Sequence, residues 1–467
     1  MNITVTIDCL RAFVPFAGTA RVIAIAVVVS GMGVTGALAQ VVSGQMPNSR
    51  NNTNAMDPFG SPDDDKTGPS LWVSGFEGYQ SSGVGTSTSS SNLALQQGSS
   101  YTGANIGAGY AMTGRRGDFS TSGQTILNYY QGNGIGFLDS YGGSAAGSLT
   151  FGPKTTLSGS GMASYAPFFN FASFAPLTAG VGTPLSDVTP VGPSVPSTAT
   201  ASAARPTYRY TGSISLRRSI GRRSSFAAHS NFYHTLVQGT LTTTTQSTGA
   251  VYTQSLSRYL SAKAGYQYQT VNLSGTGATP TVGHNLDVGV DYNRPLSFSR
   301  RTTLQFGTGS TVFARNQSWV QQQANTPSSA FGYVFYLQGF ANLDHDMGRT
   351  WKARLAYHRD WHAVQGFGAP FFSDAVTTSL GGHISRRTNL SLTAAYVQGT
   401  FGLGTQQKNT SHTETAWLTY MLSRSWQTFA HYAYYGYVYD PTVTLPVGLP
   451  PNLGRHTAQV GLTWRLG

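Results

Sequence analysis

The chain has 467 residues, of which 56 are glycine and only 10% are charged, against roughly a quarter charged in an ordinary soluble protein. After residue 40, no run approaches the roughly 18 apolar residues of a membrane-spanning helix. The formal net charge of +12 does not indicate nucleic acid binding, because the arginines occur mostly in pairs within predicted turns and do not line one helix or patch.

Residues 1–39 have the layout of a secretory signal peptide. Two arginines precede the apolar stretch VIAIAVVVS, and a small-x-small motif predicts cleavage between Ala39 and Gln40. The alternative is an uncleaved anchor helix, but the glycines and threonine after the apolar stretch argue against it. The single cysteine, Cys9, lies in this segment, so a cleaved chain would have no disulfide and no thiolate metal site.

Residues 40–69 are rich in Asn, Asp, Pro and Gly, and we expect a disordered periplasmic segment. The run Asp63-Asp64-Asp65 lacks the alternating oxygens and distal Glu of a calcium loop. The segment is also too short for the globular plug of an active outer-membrane transporter.

From residue 70 onward, apolar and polar residues alternate with a period of two. The clearest example is YRYTGSISLR from Tyr208 to Arg217, where the even positions are mostly apolar and the odd positions polar. Successive side chains of a strand point to opposite faces, so this pattern predicts a strand with one apolar and one polar face. A short arginine-rich turn follows, and the alternation then resumes, which predicts a hairpin.

This hairpin pattern recurs eight times, and one further strand lies at each end of the series. It predicts an all-β, antiparallel up-and-down transmembrane barrel of about 18 strands, within two. A soluble β-solenoid or adhesin is the alternative, but the stricter, shorter repeat of those folds is absent. The predicted strands are 71–80, 99–112, 118–130, 141–151, 154–168, a hairpin over 206–236, 251–256, 260–271, 282–292, 301–313, 331–343, 351–361, 374–384, 389–400, 412–422, 425–437 and 456–467.

An even number of strands places the first and the last strand's free ends, and so both chain termini, on the same side of the membrane. We expect this side to be periplasmic. The tight basic turns fall on that side. The longer Ser/Thr/Gly/Pro-rich connections fall on the other side, which we expect to be extracellular. The longest is the Pro/Ser/Thr-rich loop at about 170–205, where prolines cannot donate hydrogen bonds to a ladder.

The closing strand resembles the C-terminal signal that the outer-membrane barrel assembly machinery reads, although it ends on Leu466-Gly467 and not on an aromatic residue. The signal peptide, hairpins, long loops and closing strand together resemble the porin-like outer-membrane β-barrel superfamily of Gram-negative bacteria, over about residues 70–467. The repeated order of a short strand, an Arg-rich turn and a Ser/Tyr-rich strand is also loosely similar to that of porin-like proteins found beside exopolysaccharide gene sets. The resemblance implies outer-membrane lipid, lipopolysaccharide and the assembly machinery as partners. It is compatible with a homo-oligomer.

The polar face of each predicted strand identifies candidate pore-lining residues. They are Arg209, Arg217, Lys263, Asp287, Asp291, Lys352, Arg354, His358, Asp360 and Arg465, with Glu77 and Gln267 as further inward candidates. A charged ring in a water-filled pore selects the opposite ion, and the modest excess of basic residues predicts a mild anion preference. Alternatively, these charges pair across the lumen and simply fill it.

Aromatic residues at predicted strand ends fit the girdles of a membrane barrel. They are Trp72, Tyr79, Tyr259, Trp351, Trp361, Trp426 and Trp464. Some of them would instead line a path for sugars, since aromatic faces stack on sugar rings.

The predicted function is passive diffusion of small polar solutes through a porin-like channel without a cofactor or metal. One alternative is a barrel that exports or anchors an exopolysaccharide, and another is a structural or adhesive barrel with a blocked lumen. An enzyme is disfavoured. His358, Asp360 and His362 share one face, but no serine is matched to them in the manner of a catalytic triad.

Overall fold

The structure, a computed structural model, describes residues 67–81, 98–131, 136–167, 169–170, 201–203, 206–237, 241–274, 281–296, 301–314, 333–363, 370–401, 408–441, 443 and 451–466. Every helix or strand element in these ranges is a β-strand. No helix in this part of the chain has the length and apolar composition to cross a membrane. The predicted signal peptide and nearly all of the 40–69 segment lie outside the described residues.

The strands are β1 (Gly68–Gln80), β2 (Ser99–Thr113), β3 (Gly117–Tyr130), β4 (Gly136–Phe151), β5 (Thr155–Ala166), β6 (Phe169–Asn170), β7 (Ala201–Ala203), β8 (Thr207–Ser219), β9 (Ser224–Val237), β10 (Leu241–Ser255), β11 (Leu260–Ser274), β12 (Thr281–Pro295), β13 (Thr302–Ala314), β14 (Tyr333–Met347), β15 (Trp351–Ala363), β16 (Pro370–His383), β17 (Thr388–Phe401), β18 (Asn409–Met421), β19 (Trp426–Val438) and β20 (Asn452–Leu466).

Eighteen of these strands, β1–β5 and β8–β20, form one antiparallel sheet in which each strand pairs with its neighbours along the chain. Strand β1 also pairs with β20, which closes the sheet into a barrel. The short strands β6 and β7 pair only with each other, within the predicted 170–205 loop region, most of which lies outside the described residues. The prediction of an antiparallel 18-stranded barrel is confirmed.

Closure joins the two ends of the chain through a ladder from Leu71 opposite Leu466 to Gln80 opposite Thr457. A side-chain hydrogen bond of 3.0 Å between the hydroxyls of Ser74 and Thr463 reinforces it on the buried face. Because a closed barrel has no free edge, neither terminal strand is left as a template for aggregation.

Some strands are longer than the sequence predicts. Strand β10 begins at Leu241, ten residues before the predicted start, because LTTTTQSTGA has no apolar alternation to reveal it. Its threonines are β-branched and suit an extended backbone, and β9 and β11 pair with it along nearly its whole length. Pairing with its two neighbours therefore extends β10 through a stretch in which the side chains do not alternate between apolar and polar.

Eight short turns, together with the start of β1 and the end of β20, lie at one end of the barrel, which we call the turn end. The other connections, most of them longer, join the strands at the opposite end, the loop end; between β9 and β10 only three residues intervene. Every short turn contains an arginine or lysine. With the β9–β10 connection as an exception, the sorting of short and long connections between two ends agrees with the sequence prediction.

Three of the short turns share one construction, a serine followed by an arginine. The hydroxyls of Ser257, Ser385 and Ser423 accept hydrogen bonds of 3.1 to 3.3 Å from the backbone N–H groups two and three residues later. The serine thereby satisfies the backbone of the turn. The arginine that follows is exposed in all three turns.

Alternate residues of each strand differ sharply in exposure. In β20, Arg455, Thr457 and Thr463 are fully buried, whereas Val460 and Leu466 are more than half exposed. Across the described strands the buried set is mostly polar, and the exposed set contains most of the large apolar side chains. This reverses the usual arrangement of a soluble protein and makes the buried face the interior of the barrel.

Tight packing around the closing strand β20 requires a glycine at position 461. A Cβ on Gly461 would lie 2.6 Å from both the carbonyl oxygen of Gly75 and the ring of Phe429, whereas on Gly161 the nearest atom is the Thr211 carbonyl oxygen at 3.7 Å. We expect Gly461→Ala to lower the free energy of unfolding by about 1–3 kcal/mol, as overpacking does. Gly161→Ala should be neutral or slightly stabilising. Urea unfolding in lipid vesicles measures both, and equal effects would contradict the packing argument.

Candidate functional site

Charged side chains of the barrel interior are concentrated on the wall that β11 to β15 build. On this wall Lys263 Nζ lies 3.1 Å from Asp291 Oδ1, and the lysine side chain is only 12% exposed. The same ammonium lies 5.9 Å from the centroid of the Phe340 ring. A carboxylate and an aromatic face therefore both stabilise this cation.

A second ion pair lies on the neighbouring strands. Arg354 Nε donates a hydrogen bond to Asp344 Oδ1, and the two residues are directly opposite in the β14–β15 register. Six residues further along both strands, away from the turn that joins them, Gln338 Nε2 donates a hydrogen bond of 2.6 Å to Asp360 Oδ1. The ion pairs in the described lumen therefore join neighbouring strands of one wall.

The two remaining predicted residues of β15 are also on the inward face. The ring of His358 stacks on that of Phe340 with centroids 6.3 Å apart. Lys352 is exposed near the turn end and lies opposite Asp346 in the register. Close carboxylates thus accompany the basic residues of this wall and reduce its net positive charge.

Three predicted arginines lie on other walls, each on the inward face of its strand. The guanidinium of Arg209 lies 5.8 Å from the centroid of the Tyr233 ring. Arg217 is exposed at the turn end, and Arg465 lies opposite Trp72 of β1. Asp287 is opposite Gly265 on the inward register, but its side chain lies outside the described residues.

The pairing of β12 with β11 determines which way Asp291 points, because that ladder is unbroken from Leu260 opposite Tyr292 to Val271 opposite Thr281. A bulge in the pairing of β12 with β13 is consistent with it. The β12–β13 register pairs Leu286 with Ser310 and then Asp291 with Gly307, so β12 contains two extra residues. A shift of one residue would exchange the faces of the strand. A shift of two preserves them, and Asp291 stays on the inward face beside Lys263.

Toward the loop end the interior contains an apolar cluster that the sequence analysis did not predict. Its members are all at most 6% exposed; they are Val237, Phe371, Ala375, Val397, Phe401, Ala433, Tyr435, Tyr437, Tyr439 and Leu453. Val237 belongs to β9, which lies eight strands from β19 around a ring of 18. One apolar cluster therefore joins opposite walls of the barrel.

Polar residues on the inward face at the loop end are buried as well. Thr235, Thr243 and Thr311 come from three separate strands and are between 0% and 2% exposed. In a wide water-filled pore such wall residues would be accessible to solvent. The lumen thus has a packed loop-end half and a turn-end half with exposed charges.

Two further sequence predictions are wrong. Trp72 is not in a girdle, since it shares the inward face of β1 with the buried Ser74 and its ring covers Gly107. Glu77 is not inward, because it lies opposite the exposed Val460 on the outward face. Both errors come from β1, where apolar and polar residues occupy both faces and alternation does not identify the inward one.

The described residues contain no group of three or more His, Cys, Asp or Glu side chains that could hold a metal ion. The side chain of His362 lies outside the described residues, so the predicted proximity of His358, Asp360 and His362 stays a prediction. Gln267 is on the inward face as predicted and is 3% exposed.

The Lys263–Asp291 pair allows a test of electrostatics in the lumen. Asp291→Asn leaves a mostly buried ammonium without its carboxylate, so we expect a loss of about 1–2 kcal/mol, below the cost at a fully buried pair. The matched control is Asp374→Asn, since Asp374 lies 3.6 Å from Arg359 and both are nearly half exposed. An exposed pair contributes about 0–1 kcal/mol. Urea unfolding compares the two, and a larger loss at Asp374 would contradict this description.

Comparison with known proteins identifies no family, because no family model and no curated protein matches the chain. Among solved structures, OccAB4 of Acinetobacter baumannii matches at 10% identity and a TM-score of 0.40, covering 86% of this chain and all of its own. OccK2 (OpdF) of Pseudomonas aeruginosa matches at 10% identity and 0.41, covering 85% and 97%. The ferric enterobactin receptor PfeA of P. aeruginosa, as a mutant, matches at 9% and 0.40, covering 86% and 81%. Similarity this low assigns no function, and the barrel rests on its own strand pairing.

Proposed function

We propose that the protein is a channel in a bacterial outer membrane that lets small polar solutes diffuse passively, with a mild preference for anions. The observation that carries the proposal is the reversal of its two faces, with large apolar side chains outward and mostly polar ones inward. A transmembrane barrel needs this arrangement, because lipid surrounds it and its lumen is polar.

The spacing of outward aromatic residues supports the membrane location. In β3, Phe119 and Tyr129 are both more than 40% exposed and ten residues apart. At about 3.4 Å per residue and a strand tilt of roughly 40°, this separation corresponds to about 25 Å of height. That matches the apolar band between the two aromatic girdles of outer-membrane barrels.

On the outward face, tyrosines near the middle of their strands are hydrogen bonded to histidines that lie closer to the loop end on the neighbouring strands. Tyr266 and His284 are 2.8 Å apart, and Tyr432 and His456 are 2.7 Å apart. Tyrosine is common where an apolar ring meets a polar headgroup region. These pairs support a membrane interface at this level.

The anion preference rests on the turn end. Ion pairs reduce the charge of the β11–β15 wall, whereas the short turns all contain basic residues. Clefts lined by one sign of charge raise the local concentration of the opposite ion. The basic mouth at the turn end would therefore favour entry of anions.

A structural or adhesive barrel with a blocked lumen is the second candidate, because the loop-end cluster joins opposite walls. The association with exopolysaccharide stays a prediction from sequence texture alone. Single-channel recording of the refolded protein in a planar bilayer under a salt gradient separates the two candidates. Open steps with a reversal potential toward chloride support the channel, and a folded but silent barrel supports the blocked lumen.

Charge at the mouth gives a test with matched variants. Arg217→Gln with Lys352→Gln removes two charges from the inward face, and we expect the reversal potential to shift toward cations. The control is Arg218→Gln with Arg349→Gln, which removes the same charge from the turn end. Arg218 lies on the outward face of β8, and Arg349 lies in the turn between β14 and β15. Only the inward pair should alter selectivity, since lumen charge controls the permeating ion. Equal shifts from both pairs would contradict the role of the lumen residues.

The loop-end cluster gives a second test. Tyr437 is inward and 1% exposed, whereas Tyr432 on the same strand is outward and 41% exposed. Tyr437→Ala removes a ring from the packed half of the lumen and should raise the single-channel conductance, while Tyr432→Ala should leave it unchanged. An unchanged conductance in Tyr437→Ala would show that this cluster does not limit the current.

A further inference from the structure

Four of the short turns repeat one sequence and one backbone pattern. Each has isoleucine or leucine in first place, serine or glycine in second and arginine in third; they begin at Ile220, Leu256, Ile384 and Leu422. In each turn the backbone N–H groups of the first two residues donate hydrogen bonds of 2.9 to 3.3 Å to the carbonyl oxygen of the residue that starts the next strand. The same turn is therefore built four times, with an apolar side chain in first place and a guanidinium group in third.

The apolar residue that opens each of these turns is exposed on the outward side. The four side chains are between 49% and 57% exposed. Alternate residues of a strand share one face, and each of the four continues the outward series of its strand. Leu422, for example, follows the outward Leu418 and Tyr420. The outward apolar surface of the barrel thus extends to the tips of these turns, where contact with water would be unfavourable.

Backbone hydrogen bonds join these turns in two neighbouring pairs. The N–H of Met421, just before the β18–β19 turn, donates a 2.8 Å bond to the carbonyl oxygen of Arg387 in the β16–β17 turn. The equivalent bond from Ser255 to Arg223 is 2.7 Å long and joins the β8–β9 and β10–β11 turns. Each pair of turns therefore places three exposed arginines within about two strand spacings, or about 10 Å. The first arginine cluster is Arg222, Arg223 and Arg258, and the second is Arg386, Arg387 and Arg424.

The strands that carry these clusters supply little compensating charge. Residues 207–274, which span β8 to β11, contain no aspartate or glutamate. In β16 to β19 the acidic residues are Asp374 and Glu414, which precede the turns by eight residues or more, or roughly 25 Å along a strand. Asp291 on the adjacent β12 faces inward and pairs with Lys263. Both clusters are therefore suited to an anion from outside the chain.

We propose that each arginine cluster, together with the apolar residues of its two turns, binds the headgroup of an anionic phospholipid. Guanidinium groups make bidentate, charge-assisted hydrogen bonds to phosphate, and basic residues attract anionic lipid surfaces. A water-soluble anion would use the arginines alone, whereas a lipid would also cover the exposed leucine and isoleucine side chains. The inference rests on the membrane location in the proposed function and does not require conduction.

Trp426 is a reporter for the second cluster. Its carbonyl oxygen accepts the backbone hydrogen bond from Leu422, and its outward side chain is 44% exposed. Phospholipids with brominated acyl chains quench nearby tryptophan fluorescence, and subtracting the signal of Trp426→Phe isolates this residue. In phosphatidylcholine vesicles that contain the full chain, we expect brominated phosphatidylglycerol to quench Trp426 at about tenfold lower mole fraction than brominated phosphatidylcholine.

Two variants separate the charged and the apolar parts of the site. The preference for phosphatidylglycerol should disappear in Arg386→Gln/Arg387→Gln/Arg424→Gln, because no guanidinium group of the cluster remains. It should also disappear at about 1 M salt, where the screening length is about 3 Å. In Ile384→Ser/Leu422→Ser we expect a weaker preference, since the arginines remain but the apolar contact with the lipid is lost.

The matched control is Arg115→Gln/Arg116→Gln/Lys154→Gln. It removes the same charge from two neighbouring turns of the turn end, and these turns lie at least three strand spacings from β19. The control should retain the preference for phosphatidylglycerol at Trp426. An equal loss in the control and in the arginine variant would overturn the proposal, because net charge alone would then explain the attraction.

Equal quenching by the two lipids would also overturn the proposal, and would assign the clusters to a water-soluble acidic partner. A preference that persists in the arginine variant would overturn it as well. Failure to insert into vesicles would overturn both this inference and the membrane location. A barrel that prefers phosphatidylglycerol but stays electrically silent would contradict the channel function and support the lipid site.

Discussion

The closure of one backbone hydrogen-bond ladder is the constraint on which the rest of this structure depends. Each of the 18 barrel strands is paired on both sides, and the last pairing joins β20 to β1 across the two ends of the chain. In lipid, an unpaired backbone N–H or C=O group costs several kcal/mol, so only a closed sheet is a viable strand-built span. Once the ladder closes, the alternation of side chains determines what faces outward and what faces the lumen.

The lumen then divides into two halves with different chemistry. Near the turn end, charged residues such as Lys352 and Arg217 are exposed, and carboxylates on adjacent strands balance part of the positive charge. Near the loop end, inward side chains from both sides of the barrel are buried around an apolar cluster. Any solute that crosses the barrel would pass both a charged mouth at the turn end and a packed region at the loop end.

At the turn end, the residues that build the turns also supply positive charge. Serine hydroxyls satisfy the backbone of several turns, and the adjacent arginines are exposed. The same residues that end one strand and begin the next therefore supply the positive charge of the mouth.

How well the sequence predicted the structure varied with how cleanly each strand alternates. In β8 the inward Arg209 and outward Tyr210 followed directly from a period of two, and the register agrees. In β10 the threonine run gave no periodic signal, so the first ten of its 15 residues were missed. In β1 and β19 aromatic residues occupy both faces, so neither the inward Trp72 nor the inward Tyr437 could be assigned from parity.

By itself, the sequence determined the all-β class, the approximate number of strands and the separation of short basic turns from long connections, because these depend on local periodicity and turn residues. Only the tertiary structure decided which face of the ambiguous strands turns inward, that the β11–β12 register brings Asp291 beside Lys263, and that Val237 meets aromatic residues from the opposite wall. Those features depend on closure, which brings together residues that are distant in the chain, and no local pattern specifies such contacts.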